Sequence, residues 1–103
     1  MNNPSLPIRI FPNAEIHSIT VAVPGDSHKH LRASIETADG VFVFQEATIA
    51  ALTRAYITAK THPTCKGVHL SGREVPEGKP GYAMWQLMED ESVDPVSRIS
   101  DYI

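Results

Sequence analysis

Residues 31–62 read LRASIETADGVFVFQEATIAALTRAYITAKTH, and this stretch decides the fold class. Apolar and polar side chains alternate over residues 31–37, which is typical of a strand with one buried face. Asp39-Gly40 is a turn signal, and the apolar run at residues 41–44 supplies a second strand. The pattern therefore predicts a β-hairpin that leads directly into a helix.

The helix is predicted to run from about Glu46 to about Thr61. Its large side chains recur at spacings of three and four and form one stripe that we expect to face the core: Ile49, Leu52, Thr53, Tyr56 and Lys60. Alanines beside this stripe raise the helix propensity and allow close approach to a sheet. Pro63 ends the helix, because a residue before proline disfavours helical geometry.

Further strands are predicted on both sides of this unit, at Ile8–Phe11, Ile16–Val23, Gly67–Ser71 and Tyr82–Met88. The order is then β-β-β-β-α-β-β. This order predicts an α+β fold in which one long helix packs on one face of a mostly antiparallel sheet of five or six strands.

Charge divides the chain into two parts. The formal net charge is −3, and residues 83–103 hold five acidic side chains against the single Arg98. We expect one α+β domain over residues 1–88 and an acidic C-terminal tail over residues 89–103. Neither part shows the clustered basic residues of a nucleic-acid-binding protein.

The single cysteine, Cys65, excludes an intramolecular disulfide, which is typical of a reducing compartment. The first residues lack the pattern of a signal peptide, and no apolar run approaches the ~20 residues of a membrane helix. We therefore expect a cytoplasmic protein without membrane contact.

Cys65 follows His62 at the end of the predicted helix, where the helix dipole disfavours a thiolate nucleophile. His62 is instead predicted to cap the last helix carbonyls.

Asp26, His28 and His30 form the densest polar cluster. Two histidines two residues apart on an extended segment point the same way, and with Asp26 they could bind Zn²⁺ or Cu²⁺. The alternative is a solvated loop with incidental histidines, which we favour because no HExxH or cysteine spacing accompanies them.

Arg73 and Lys79 lie in a glycine-rich segment and are candidates for anion binding. The segment has no Walker or Rossmann pattern and opens no helix, so a plain strand connection is the favoured interpretation and no cofactor is expected.

The last predicted strand is apolar on both faces, through Tyr82 and Met84 among others, and extends to Met88. Such a strand is either central in a covered sheet or part of a contact with a partner. One helix cannot cover a sheet of five or six strands, so we expect a homodimer. In the tail, Ile99 and Tyr102 either dock on a partner or pack on the protein's own body.

These features predict a non-catalytic protein that binds another protein, such as a small accessory, inhibitor or immunity-type domain. No convincing catalytic set accompanies them. The alternative is a small metal-binding protein or metal-dependent enzyme that uses His28 and His30. The sequence does not specify the partner, the substrate or the biological process.

Overall fold

A computed structural model of the chain describes residues 6–25, 29–75 and 85–103. The fold is α+β, with one antiparallel sheet of three strands and a second of two. In chain order the elements are a 3-10 turn (Asn13–Glu15), β1 (Ile16–Ala22), β2 (Arg32–Thr37), β3 (Gly40–Gln45), α1 (Glu46–Thr61), β4 (Leu70–Glu74), β5 (Trp85–Glu89) and α2 (Pro95–Tyr102). The chain forms two compact units, and the boundary between them falls after Ala50, within α1.

The predicted hairpin is confirmed as the pair β2–β3. Its register runs from Thr37 opposite Gly40 to Arg32 opposite Gln45 without interruption. Gly40 has a φ of 137°, a conformation that side-chain-bearing residues rarely adopt. Thr37 is buried, and its hydroxyl accepts the Asp39 N–H at 3.1 Å and donates to the Gly40 carbonyl at 3.2 Å. The side chain of Thr37 thus ties the turn to the end of β2.

The three-stranded sheet has one apolar and one largely polar face, because pairing is antiparallel and side chains alternate. Ala33 is buried on the apolar face, and the ring of Phe11 packs edge-on against Phe42 with centroids 6.2 Å apart. The side chains on the apolar face are Ile19, Val21, Ala33, Ile35, Phe42 and Phe44.

The strand predicted at Ile8–Phe11 is wrong, because this segment has no strand structure. Side chains anchor it instead. Arg9 forms ion pairs with Glu15 and with Asp39, the latter at 2.7 Å, and its guanidinium lies 4.5 Å from the centre of the Phe11 ring. The hydrogen bonds with Glu15 and then Asp39 raise the pKa of Arg9 above its ordinary value.

The prediction of a single sheet with five or six strands is also wrong. β4 and β5 form a separate antiparallel pair, from Leu70 opposite Glu89 to Glu74 opposite Trp85. The strand predicted at 67–71 starts three residues later than expected. Alternating side chains identify a strand, but they do not specify which other strand it pairs with. The sequence therefore could not distinguish two separate sheets from a single larger sheet.

The bounds of α1 agree with the prediction, but its buried face does not. Ala51 is only 3% exposed, and Ala55 and Thr58 on the same side are half-buried. Leu52 and Tyr56, which we expected in the core, are 69% and 66% exposed. The helix buries its small residues because they allow close packing, and its largest apolar side chains remain at the surface.

A second helix, α2, replaces the expectation of one long helix. Pro95 occupies its first turn, where a missing N–H costs nothing. The helix follows the spacing of the apolar residues in the acidic tail. A single domain over residues 1–88 with a separate tail stays a prediction. No helix within the described ranges is long and apolar enough to cross a membrane.

Candidate functional site

An open groove runs between α1 and α2 in the unit that follows Ala50. Its volume is about 450 Å³. We call it the α1–α2 groove and define it by its main lining residues, Leu52, Tyr56, Val68, Pro95, Val96 and Ile99.

Large apolar side chains on both helices line this groove and are exposed. Leu52 and Tyr56 are one helical turn apart on α1, and Val96 and Ile99 are one turn apart on α2. Each of the four is more than half exposed. Isolated exposed apolar residues are normal, whereas these four side chains line one groove.

Hydrogen bonds hold the turn after α1, and its residues Lys66 and Gly67 help to line the groove. The ring nitrogen Nδ1 of His62 accepts backbone N–H groups from Thr64 at 3.1 Å and Cys65 at 2.8 Å. The Lys66 ammonium donates to the His62 carbonyl at 2.8 Å. The predicted capping role of His62 is therefore wrong in its chemistry, because the ring accepts N–H groups while Lys66 binds the carbonyl.

Close contact with this turn also fixes the start of α2. A Cβ atom at Gly67 would lie 2.8 Å from Cγ of Pro95, so only glycine lets the proline ring approach this closely. The absence of a side chain at Gly67 thus determines how closely α2 packs on the residues after α1.

A second cavity, of about 540 Å³, lies in the same unit and includes Cys65, His69 and Asp90 in its lining. Asp90 accepts hydrogen bonds from the Ser92 hydroxyl at 2.6 Å, the Ser71 hydroxyl at 2.7 Å and the Ser92 backbone N–H at 3.0 Å. The Ser92 hydroxyl, followed by that of Ser71, holds the pKa of Asp90 well below its usual range, because these bonds favour the carboxylate.

His69, Ser71 and Asp90 have the composition of a catalytic triad but not its geometry. In a triad the histidine takes the serine proton and the carboxylate orients the histidine. Here the Ser71 hydroxyl donates to Asp90, and His69 Nε2 lies 3.4 Å from that hydroxyl. A carboxylate with a lowered pKa is a poor base. The cluster therefore stabilises a turn, and its arrangement does not activate Ser71.

The thiol of Cys65 lines this second cavity as well. It is exposed and donates to the Gly67 carbonyl at 3.2 Å. This contact, like those of Asp90, holds the local backbone together.

The predicted partner-binding residues are distributed over several places. Ile99 lies in the α1–α2 groove, and Tyr102 is half-buried at the end of α2. Met88 is exposed on β5, opposite Ser71. Tyr82 and Met84 lie outside the described residues.

The predicted metal and anion residues are only partly described. Asp26, His28 and Lys79 lie outside the described ranges, while His30 is exposed. No three His, Cys, Asp or Glu side chains within those ranges are placed to hold a metal ion. Arg73 is exposed on β4 opposite Gln86.

Sequence reasoning missed Leu52, Tyr56 and Val96 as candidate binding residues. The signal was present, because apolar residues recur one turn apart in both helices. We assigned the α1 pair to the core, since a stripe of large apolar residues on a helix usually packs against its own sheet.

The chain matches no family model, no curated protein and no solved structure. Its function must therefore be argued from the site itself.

Proposed function

We propose that this chain is a non-catalytic protein-binding domain whose α1–α2 groove takes an apolar segment of a partner protein. The single observation that carries the proposal is the set of four large, exposed apolar side chains that line this groove from two helices. Accessory, inhibitor and immunity-type domains all act by binding another protein.

The shape and chemistry of the groove favour an amphipathic helix as the bound segment. Such a helix lays apolar side chains, spaced three or four residues apart, between two ridges of the receptor. Full burial of one Leu, Ile or Val side chain contributes about 1.5–3 kcal/mol, so two or three such contacts are significant.

Charge around α2 defines the partner further. Asp94 and Asp101 are exposed at the two ends of this helix, within the segment that holds most of the net negative charge. A partner with basic residues beside its apolar anchors would complement this edge of the groove, and charge complementarity mainly improves the specificity and rate of association.

A matched pair of substitutions tests the groove. Ile99→Asp places a charge inside it, while Ile103→Asp places the same charge at the exposed end of the chain, outside the groove lining. Each immobilised protein is incubated with an extract of the source cells, and bound proteins are quantified by mass spectrometry.

We expect at least one protein to bind the wild type and Ile103→Asp equally and to bind Ile99→Asp about tenfold less, since burial of one apolar side chain contributes more than 1.4 kcal/mol. Equal capture by both variants would contradict a role for the groove. Circular dichroism confirms that both variants fold.

The metal-binding alternative rests on the sequence of Asp26, His28 and His30. It predicts stoichiometric zinc in protein purified without a histidine tag. The double substitution His28→Ala/His30→Ala would remove that zinc. Elemental analysis of the two proteins distinguishes this hypothesis from protein binding alone.

A further inference from the structure

The outer side of β3 is unpaired among the residues that the structure describes. The strand order β1-β2-β3 places β3 at the sheet edge, with β2 as its one described neighbour. An edge strand presents a row of backbone N–H and C=O groups that can pair with another chain.

This edge lacks the features that usually prevent such pairing. β3 reads GVFVFQ, with neither charge nor proline, and pairs regularly with β2 along its full length. The other described edges carry features that disfavour pairing with another chain. β1 has a register irregularity between Ile16 and Ser18. β4 and β5 carry the charged side chains of Arg73, Glu74 and Glu89.

Two valines on β3 are the large apolar side chains of a sheet face that is otherwise polar apart from Ala22. Val41 and Val43 are about 60% exposed, at 59% and 62%. Their cross-strand neighbours on β2 are Glu36 and Ser34. Apolar residues at the edge of an otherwise polar face suit a position that is interior to a larger sheet.

We propose that two copies of this chain pair through β3, antiparallel to each other, and form a continuous six-stranded sheet. A two-fold axis normal to the sheet keeps each face of one copy on the same side as that face of the other. In this arrangement Phe42 lies opposite Phe42 of the second copy on one face, and Val41 lies opposite Val43 of the second copy on the other face. β3 is therefore self-complementary.

Charges at the ends of β3 do not oppose this pairing. Asp39 precedes the strand and is paired with Arg9 at 2.7 Å. Glu46 follows it and accepts the backbone N–H of Leu31 at 2.7 Å. Both carboxylates are thus engaged within their own copy.

Pairing through β3 is separate from the proposed function and does not depend on the α1–α2 groove. It also differs from the dimer predicted from Tyr82, Met84 and Met88, which would use the last strand. The second copy is the favoured partner for β3 because two antiparallel copies of the strand place apolar side chains beside apolar side chains and bring no unpaired charge into the contact.

The test compares one lysine substitution at each edge of the same sheet. Val43 and Thr20 lie on opposite sides of Ser34, in one row of one face. We measure molar mass by light scattering from micromolar to hundreds of micromolar protein. We expect a dimer for the wild type and for Thr20→Lys, and a monomer for Val43→Lys, because a lysine at the paired edge would lie beside the same lysine of the second copy.

A wild-type monomer throughout this range would overturn the proposal. So would equal dissociation by both lysine variants, or a dimer that Met88→Asp dissociates and Val43→Lys leaves intact. Circular dichroism verifies folding of each variant.

Cross-linking keeps the proposal testable if Val43→Lys fails to fold. In a Cys65→Ser background, Val41→Cys/Val43→Cys should give disulfide-linked dimers on oxidation, since opposed residues of paired strands lie within disulfide reach. The matched pair Ser18→Cys/Thr20→Cys on β1 should remain monomeric on a non-reducing gel. The reverse result, or equal cross-linking of both pairs, would refute pairing through β3.

Discussion

The substitution Gly67→Ala tests the contact that positions α2. A Cβ atom there would lie 2.8 Å from Cγ and 2.9 Å from Cβ of Pro95. Carbon atoms in ordinary contact are about 3.5–4.0 Å apart, so the two segments must separate by roughly 0.7–1.2 Å. The proline ring is closed on its own backbone and cannot rotate away. The start of α2 or the turn after α1 must therefore move.

The magnitude follows from two opposing effects. Overpacking of this kind costs about 1–3 kcal/mol. Replacement of glycine by alanine also restricts the unfolded chain, which returns about 0.4–1 kcal/mol. We expect a net loss of about 1 kcal/mol, which lowers the melting temperature of a domain of this size by about 4–8 °C.

Thermal unfolding followed by circular dichroism measures this loss, with Gly25→Ala as the control. A Cβ at Gly25 meets nothing within 4 Å, and its backbone conformation is compatible with alanine. The control should melt at or slightly above the wild-type temperature. If Gly67→Ala melts together with Gly25→Ala, α2 does not pack against Gly67 in solution and the α1–α2 groove loses one wall.

Three further predictions concern single side chains. Gly72→Ala should shift the fluorescence emission of Trp85, the only tryptophan of the chain, to longer wavelength. A Cβ atom at Gly72 would lie 2.6 Å from the indole nitrogen and must displace the ring. Unchanged fluorescence would contradict this contact. Leu52→Ala should change the free energy of unfolding, measured by denaturant titration, by less than about 0.5 kcal/mol, because Leu52 is exposed. Ala51→Leu should lower it by about 1–3 kcal/mol, because Ala51 is buried. The opposite order would mean that α1 buries the side of Leu52. The pKa of the Asp90 carboxyl is lower in the folded protein, so the stabilisation by its carboxylate is fully present above the ordinary pKa and is lost as the pH falls from that pKa towards the lower, folded-state pKa. Asp90→Asn should therefore melt at a lower temperature than the wild type at neutral pH and show a smaller drop in melting temperature on acidification. Melting temperatures of the two proteins that change in parallel with pH would contradict this prediction.

The sequence by itself determined the local elements whose signals are local. Alternation over residues 31–37 and the Asp39-Gly40 turn predicted the β2–β3 hairpin, because register in a hairpin depends on the turn and on the side-chain period. Pro63 and the alanine-rich segment before it predicted the bounds of α1.

Tertiary structure alone decided which surfaces these elements bury. The helical period placed Leu52 and Tyr56 on one stripe, but burial of that stripe depends on what packs against it, and α1 buries Ala51 instead. The same limit applies to the sheets, because a strand pattern does not state its pairing partner, and β4 and β5 pair apart from the first three strands. The α1–α2 groove exists because the large apolar side chains of α1 stay exposed and because Gly67 allows Pro95 to bring α2 beside them.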